Sequence, residues 1–172
     1  HQNQPMHAHF TQTIISKQGS FISKASGQIW LQHYQLRFLI QKPFQQIILL
    51  QQHHFQLIEP QLKQVTQGTI NHQITQSFAQ ILATPETLYN QPCKVTLIPE
   101  THTFQIHWPP SKKSNIHALT LTFNQPNTLD TISWQDPFQH KTTLTFHHVQ
   151  QPKMIAAHLF TFKAPKDWAI IN

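Results

Sequence analysis

Apolar and polar residues alternate with a period of two along much of the chain: Leu36, Phe38 and Ile40 alternate with Gln35, Arg37 and Gln41, and Leu119, Leu121 and Phe123 with Thr120, Thr122 and Asn124. Successive side chains of a strand point to opposite faces, so this pattern predicts strands with one apolar face. Segments rich in Phe, Ile, Leu, Thr and Val, punctuated by Pro, Asn, Asp, Gln or Gly, place strands near 8–17, 21–32, 36–42, 45–51, 54–59, 62–67, 93–99, 102–108, 116–123, 129–135, 141–149 and 157–163. Their short separations read as an antiparallel meander. The period changes between 72 and 90, where Ile74, Phe78, Ile81 and Leu82 fall on one helical face. Pro85 ends that helix and opens a second short turn through Leu88. Within a β chain such a helix is a plug, a lid or a packing element.

The 172 residues suit a single domain spanning 1–172 with a real core. Only 10% of residues are charged and Gln takes over much of the surface, against 38% hydrophobic, which reads as a folded globule. A net charge of +6 is compatible with an anionic membrane, peptidoglycan, an acidic partner or nucleic acid. The basic residues are scattered, however, with Lys112-Lys113 the one adjacent pair, which argues against a nucleic-acid stripe. Three glycines exclude a Gly-rich phosphate loop. The single Cys93 excludes an internal disulfide and a Cys-rich zinc site, and reads as a small buried hydrophobe. Apolar runs such as Ile47-Ile48-Leu49-Leu50 fall far short of the roughly 20 residues of a spanning helix.

Catalytic groups are hard to assemble. Glu59, Glu86, Glu100, Asp130, Asp136 and Asp167 sit in turns, at strand ends or beside Pro, and form no acid/base pair. Among the histidines, His7 and His9 share a strand face, whereas His53-His54 and His147-His148 point to opposite faces, without the convergence a zinc site needs. The expectation is a protein that is not an enzyme and has no metal or cofactor. What remains is apolar surface. A long meander curls and can enclose a cavity, and burying an acyl chain yields about 0.8 kcal/mol per CH₂. Periodicity leaves both a ligand cavity and an ordinary sandwich core open.

The order of local motifs adds to this. Phe10-Thr11-Gln12 matches an opening Phe-Thr-Gln strand, and Gly27-Gln28-Ile29-Trp30 through Arg37-Phe38 stands where a G-x-L/I-W-x-x-R-P signature runs on to F-R-W. Ile58 through Thr66 is similar to Y-D-P-x-L-x-Q-V-T, and Ile81-Leu82 with Pro85-Glu86-Thr87-Leu88 falls where a P-x-x-L-L region belongs. Asp136-Pro137-Phe138-Gln139 is similar to a D-x-x-G-Q turn without its glycine, and Phe160 through Pro165 with Ile170-Ile171 to F-x-F-x-x-P-x-G-x-x-V-I. In this order the motifs resemble the outer-membrane lipoprotein carrier family, LolA, over nearly everything after residue 8.

The resemblance implies a mainly β fold, an unclosed antiparallel half-barrel of about 11 strands under a short helical lid. It implies a chaperone that binds lipoprotein acyl chains, or other lipid, in an apolar cavity. Such a carrier takes its cargo from an inner-membrane ABC transporter and passes it to an outer-membrane acceptor. It would be a periplasmic monomer, here as the mature chain after signal-peptide removal. The cavity would be lined by Trp30, Leu36, Phe38, Ile40, Leu49, Phe55, Leu57, Ile81 and Leu82, with His33 and Arg37 as lid and gating positions. His33 replaces the family's lid-binding arginine, and Tyr34 the proline after it. A neutral imidazole has one donor where guanidinium has five, so the closed state would be held differently and could respond to pH. Two alternatives stay open: a paralogue with another acylated or glycolipid cargo, and an envelope module that binds a protein, its interior filled by side chains.

Overall fold

The computed structural model describes residues 4–70, 78–110, 116–124 and 128–172. The strands are β1 (Met6–Ile15), β2 (Phe21–Gln32), β3 (Gln35–Lys42), β4 (Gln46–Gln51), β5 (His54–Glu59), β6 (Gln64–Thr69), β7 (Lys94–Ile98), β8 (Thr103–His107), β9 (Ala118–Asn124), β10 (Thr128–Gln135), β11 (Lys141–Gln150) and β12 (Ala169–Ile171). They form one unclosed 12-stranded sheet in the order β12-β6-β5-β4-β3-β2-β1-β11-β10-β9-β8-β7. A first meander runs from β1 to β6, and a second starts at the far edge with β7 and returns until β11 pairs with β1.

The link between the meanders must therefore cross the sheet. It carries helix α1 (Phe78–Ala83) and a 3₁₀ turn, Pro85–Asn90. The expected helix over 72–90 is thus confined, within the described residues, to α1; Ile74 lies outside them. Pro85 acts as anticipated, stopping α1 and opening the next turn, because it fixes φ and lacks an N–H.

The face under α1 is the inside of a curl. Phe78 of α1 touches both Phe38 of β3, at 5.3 Å between ring centroids, and Trp134 of β10, at 4.7 Å. Those two rings are thus no more than about 10 Å apart, whereas strands four places apart in a flat sheet stand about 19 Å apart. A bulge contributes to the bend: Ser26 pairs with Lys42 but Gly27 with Ile40, which leaves Gln41 over. A Cβ at Gly27 would lie 1.8 Å from the Leu39 carbonyl oxygen, so only glycine fits there.

The outer face is also apolar over part of its area. Leu39, Ile47, Leu49, Ile58 and Val65 form a second cluster, covered by Phe162, Ala164 and Trp168 of the C-terminal segment. The strand expected at 157–163 is replaced by a 3₁₀ turn, Ala157–Phe160, and extended chain. Sheet side chains hold this strap: Gln32 Oε1 accepts from Ile155 N at 2.8 Å, Arg37 Nη1 donates to Leu159 O at 3.2 Å, and Gln56 Nε2 to Phe162 O at 3.4 Å. Alternating burial of Phe160 and Phe162 against the sheet imitates a strand pattern. The true last strand, β12, pairs parallel with β6 and is too short, at three residues, to show a period.

Candidate functional site

The inner face is a continuous apolar surface with α1 seated on it. A file of rings crosses it: Phe10 stacks on Phe38 at 4.4 Å, Phe38 meets Phe78 edge-on, and Phe78 stacks on Trp134. Ala79, Ile81 and Ala83 are buried beneath α1, the small alanines letting its backbone approach the sheet. At its end Thr84 turns both its N–H and its hydroxyl to the Gln80 carbonyl, at 2.7 and 2.9 Å. Away from α1 the surface continues to the β7 edge. Leu97, Phe104 and Leu121 stand in register with the buried Ile132 and Leu144, yet Leu97 is 51% and Phe104 36% exposed.

At the rim, the β2–β3 hairpin meets the 3₁₀ turn that follows α1. His33 and Tyr34 form the hairpin turn, with Tyr34 in the left-handed region at φ 58° and the two rings 3.7 Å apart. The Glu86 carboxylate, by hydrogen bonding to the protonated phenol and by its charge, raises the Tyr34 pKa above the usual phenol range. Tyr34, Gln52, His53, Thr84, Glu86 and Asn90 surround a rim pocket of about 380 Å³. The hairpin residue on the wall of this pocket is Tyr34; His33, next to it, stands exposed.

Leu36, Phe38 and Ile40 share the inner face with Phe55, Ile81 and Leu82. Leu57 joins them by register, opposite Ile48. Trp30 and Leu49 do not: both belong to the outer face, and their expected place in the cavity is corrected. Ile29 and Leu31 take the inward positions of β2, which turns Trp30 outward against His7, stacked at 4.7 Å. β4 is apolar on both faces, so its continuous run conceals which residues point in. Arg37 is corrected as well. It lies outside, its guanidinium 5.6 Å from the Trp30 ring centroid and bonded to Leu159 O, where burial pushes its pKa down. It holds the strap and lies on the face opposite α1. Sequence reasoning noted Phe10 only within a motif and Phe78 only on a helical face; that they converge with Trp134 depends on the curl.

Among the described residues no group of three or more His, Cys, Asp or Glu side chains is placed to hold a metal. Cys93 is half-buried against the inner cluster, its thiol 3.7 Å from the Leu88 carbonyl. No described helix is long and apolar enough to cross a membrane.

Comparison with known proteins gives the same outline. The family model "Outer membrane lipoprotein carrier protein LolA" matches residues 1–163. An outer-membrane lipoprotein carrier protein of Methylobacillus flagellatus is 27% identical over 97% of this chain and 82% of its own, and one of Nitrosomonas europaea 24% identical over 96% and 81%. Among solved structures, a LolA superfamily protein from Nitrosomonas europaea superposes with a TM-score of 0.51 at 10% identity, covering 92% of this chain and 90% of that one. The Pseudomonas aeruginosa MucA/MucB complex gives 0.52 at 13% identity, covering 95% of this chain and 57% of that one.

Proposed function

The chain belongs to the outer membrane lipoprotein carrier protein LolA family, and from that premise we propose that it is a periplasmic chaperone that shelters lipoprotein acyl chains on its inner face between the inner and the outer membrane. Relatives named as carriers support a lipoprotein carrier role for the chain. The observation that carries the cavity reading is the position of Phe78, a lid side chain wedged between Phe38 and Trp134. In the empty state α1 covers the apolar face, and when it swings out an acyl chain takes its place among Phe10, Leu36, Phe38 and Ile40. The exchange suits reversible transport. Each buried CH₂ contributes about 0.8 kcal/mol, while resealing the lid recovers part of that on release. Nothing in this role needs a catalytic group or cofactor. The donor would be an inner-membrane ABC transporter and the recipient an outer-membrane acceptor.

The filled interior also favours a second reading, a module that uses this fold to bind a protein; the similar MucA/MucB structure is a complex of two proteins. Native mass spectrometry with organic extraction, paired with titration of an apolar fluorophore, separates the two. Co-purifying acylated molecules, or saturable fluorophore binding, support the carrier. A clean protein that rejects the fluorophore sinks that reading and favours the module.

A further inference from the structure

The ends of the strands differ in chemistry. At the end away from Tyr34, the β1–β2, β3–β4, β5–β6 and β10–β11 connections emerge side by side, as the pairings of Ile15 with Phe21 and Lys141, Ser26 with Lys42, and Glu59 with Gln64 require. Each connection presents one large apolar side chain to solvent: Phe21, Phe44, Leu62 and Phe138, all at least 66% exposed. A single exposed hydrophobe is ordinary, but four on neighbouring turns form a patterned rim. Lys17, Lys42 and Lys141 stand exposed beside them.

The carboxylates at this end are engaged. Glu59 accepts from Gln46 and Gln64, Asp136 caps its own turn through Phe138 N and His140 N, and Asp167 pairs with Lys63 at 2.9 Å. The ion pairs among the described residues leave Lys17, Lys42 and Lys141 out. Glu86, Glu100 and Asp130 lie in or beside connections at the other strand ends. The rim is thus tipped with aromatic and aliphatic side chains and keeps a basic balance, Lys17, Lys42, Lys63, Lys141 and Lys166 standing against Glu59, Asp136 and Asp167.

We propose that this rim docks the protein on an anionic lipid bilayer, with Phe21, Phe44, Leu62 and Phe138 entering the interface and the lysines facing lipid phosphates. Charge complementarity selects a bilayer over a second copy of this basic chain, and tips on four separate turns suit a fluid surface better than one rigid groove. Between Phe44 and Leu62 lies a pocket of about 410 Å³ with Ile40 on its wall. Ile40 packs against the inner cluster, so a chain leaving the membrane there meets the apolar face directly. That last step rests on the carrier reading; the docking does not.

The test is co-sedimentation of the full chain with protein-free vesicles of phosphatidylglycerol and phosphatidylethanolamine, against phosphatidylcholine vesicles. Binding should be about tenfold stronger to the anionic vesicles and fall about tenfold between 0.05 and 0.5 M salt. Phe44→Ser with Leu62→Ser should weaken it at least about fivefold, as should Lys17→Gln with Lys42→Gln and Lys141→Gln, whereas Met154→Ser, exposed on the opposite rim, should leave it unchanged. Circular dichroism verifies folding of each variant. Absence of vesicle binding, equal binding by the rim variants, or binding only to native membranes containing protein overturns the proposal. Fluorophore titration of the same samples shows whether the carrier reading fails with it or survives.

Discussion

Replacing Phe78 by Ala isolates the cost of lid closure from the capacity of the face beneath. The ring makes two aromatic contacts, with Phe38 at 5.3 Å and Trp134 at 4.7 Å. Each such pair contributes about 0.5–1.5 kcal/mol, so Phe78→Ala should weaken closure by about 2 kcal/mol. A ligand that needs the open state binds with an apparent affinity scaled by the open fraction, so 2 kcal/mol corresponds to about 30-fold tighter binding of an apolar fluorophore. Thermal unfolding should move the other way, down by about 4–8 °C for a chain of this size. Fluorophore titration and a thermal melt on the same preparation read both. A variant that melts lower but binds no tighter would refute the idea that α1 competes with ligand for the inner face.

Other perturbations separate the parts of the reasoning. Phe104→Ala, at the exposed end of the inner face, should weaken fluorophore binding several-fold while moving the melting temperature by less than about 2 °C. Tyr34→Phe removes the hydroxyl that responds to Glu86 and should speed hydrogen exchange across Pro85–Asn90 at neutral pH. Because the phenol is held protonated above its usual range, the contact is present at lower pH and is lost as pH rises through the raised value. A spectrophotometric titration should therefore show a tyrosine ionising at higher pH in the wild type than in a Glu86→Gln variant, and coincident curves would count against the contact. Gly27→Ala puts a methyl against the Leu39 carbonyl and should cost on the order of 3 kcal/mol in denaturant unfolding; a cost below 1 would mean the bulge relaxes easily. Arg37→Met keeps the stem but drops the bond to Leu159 O, and should release the C-terminal strap to proteolysis at an unfolding cost of about 1–2 kcal/mol.

The rim shows how a local motif can be legible while its use is not. Gln139 stands where the resembled turn has glycine, and it adopts φ 63°, so the backbone demand survives the loss of the residue that best meets it. In the same way His33 marked the lid position, but it is its neighbour Tyr34, packed against the His33 ring, that lines the rim pocket with Glu86. Leu49 was misplaced because parity is readable only where one face is polar, and β4 is apolar on both; Trp30 shares its face with Gln28 and Gln32, and its size outweighed that parity in the reading.

Alternation along the chain determined eleven strand positions to within a few residues, because each strand carries its own face pattern, and Pro85 determined where the crossing helix must stop. The motif order determined the family. Which residues meet was decided only by the tertiary structure. The curl that brings β3 within reach of β10 through one ring, the strap that hides the outer cluster and the parallel pairing of a three-residue strand are contacts between segments far apart in sequence. Local periodicity fixes which way a side chain points from its own strand; it holds no information about which distant surface bends round to meet it.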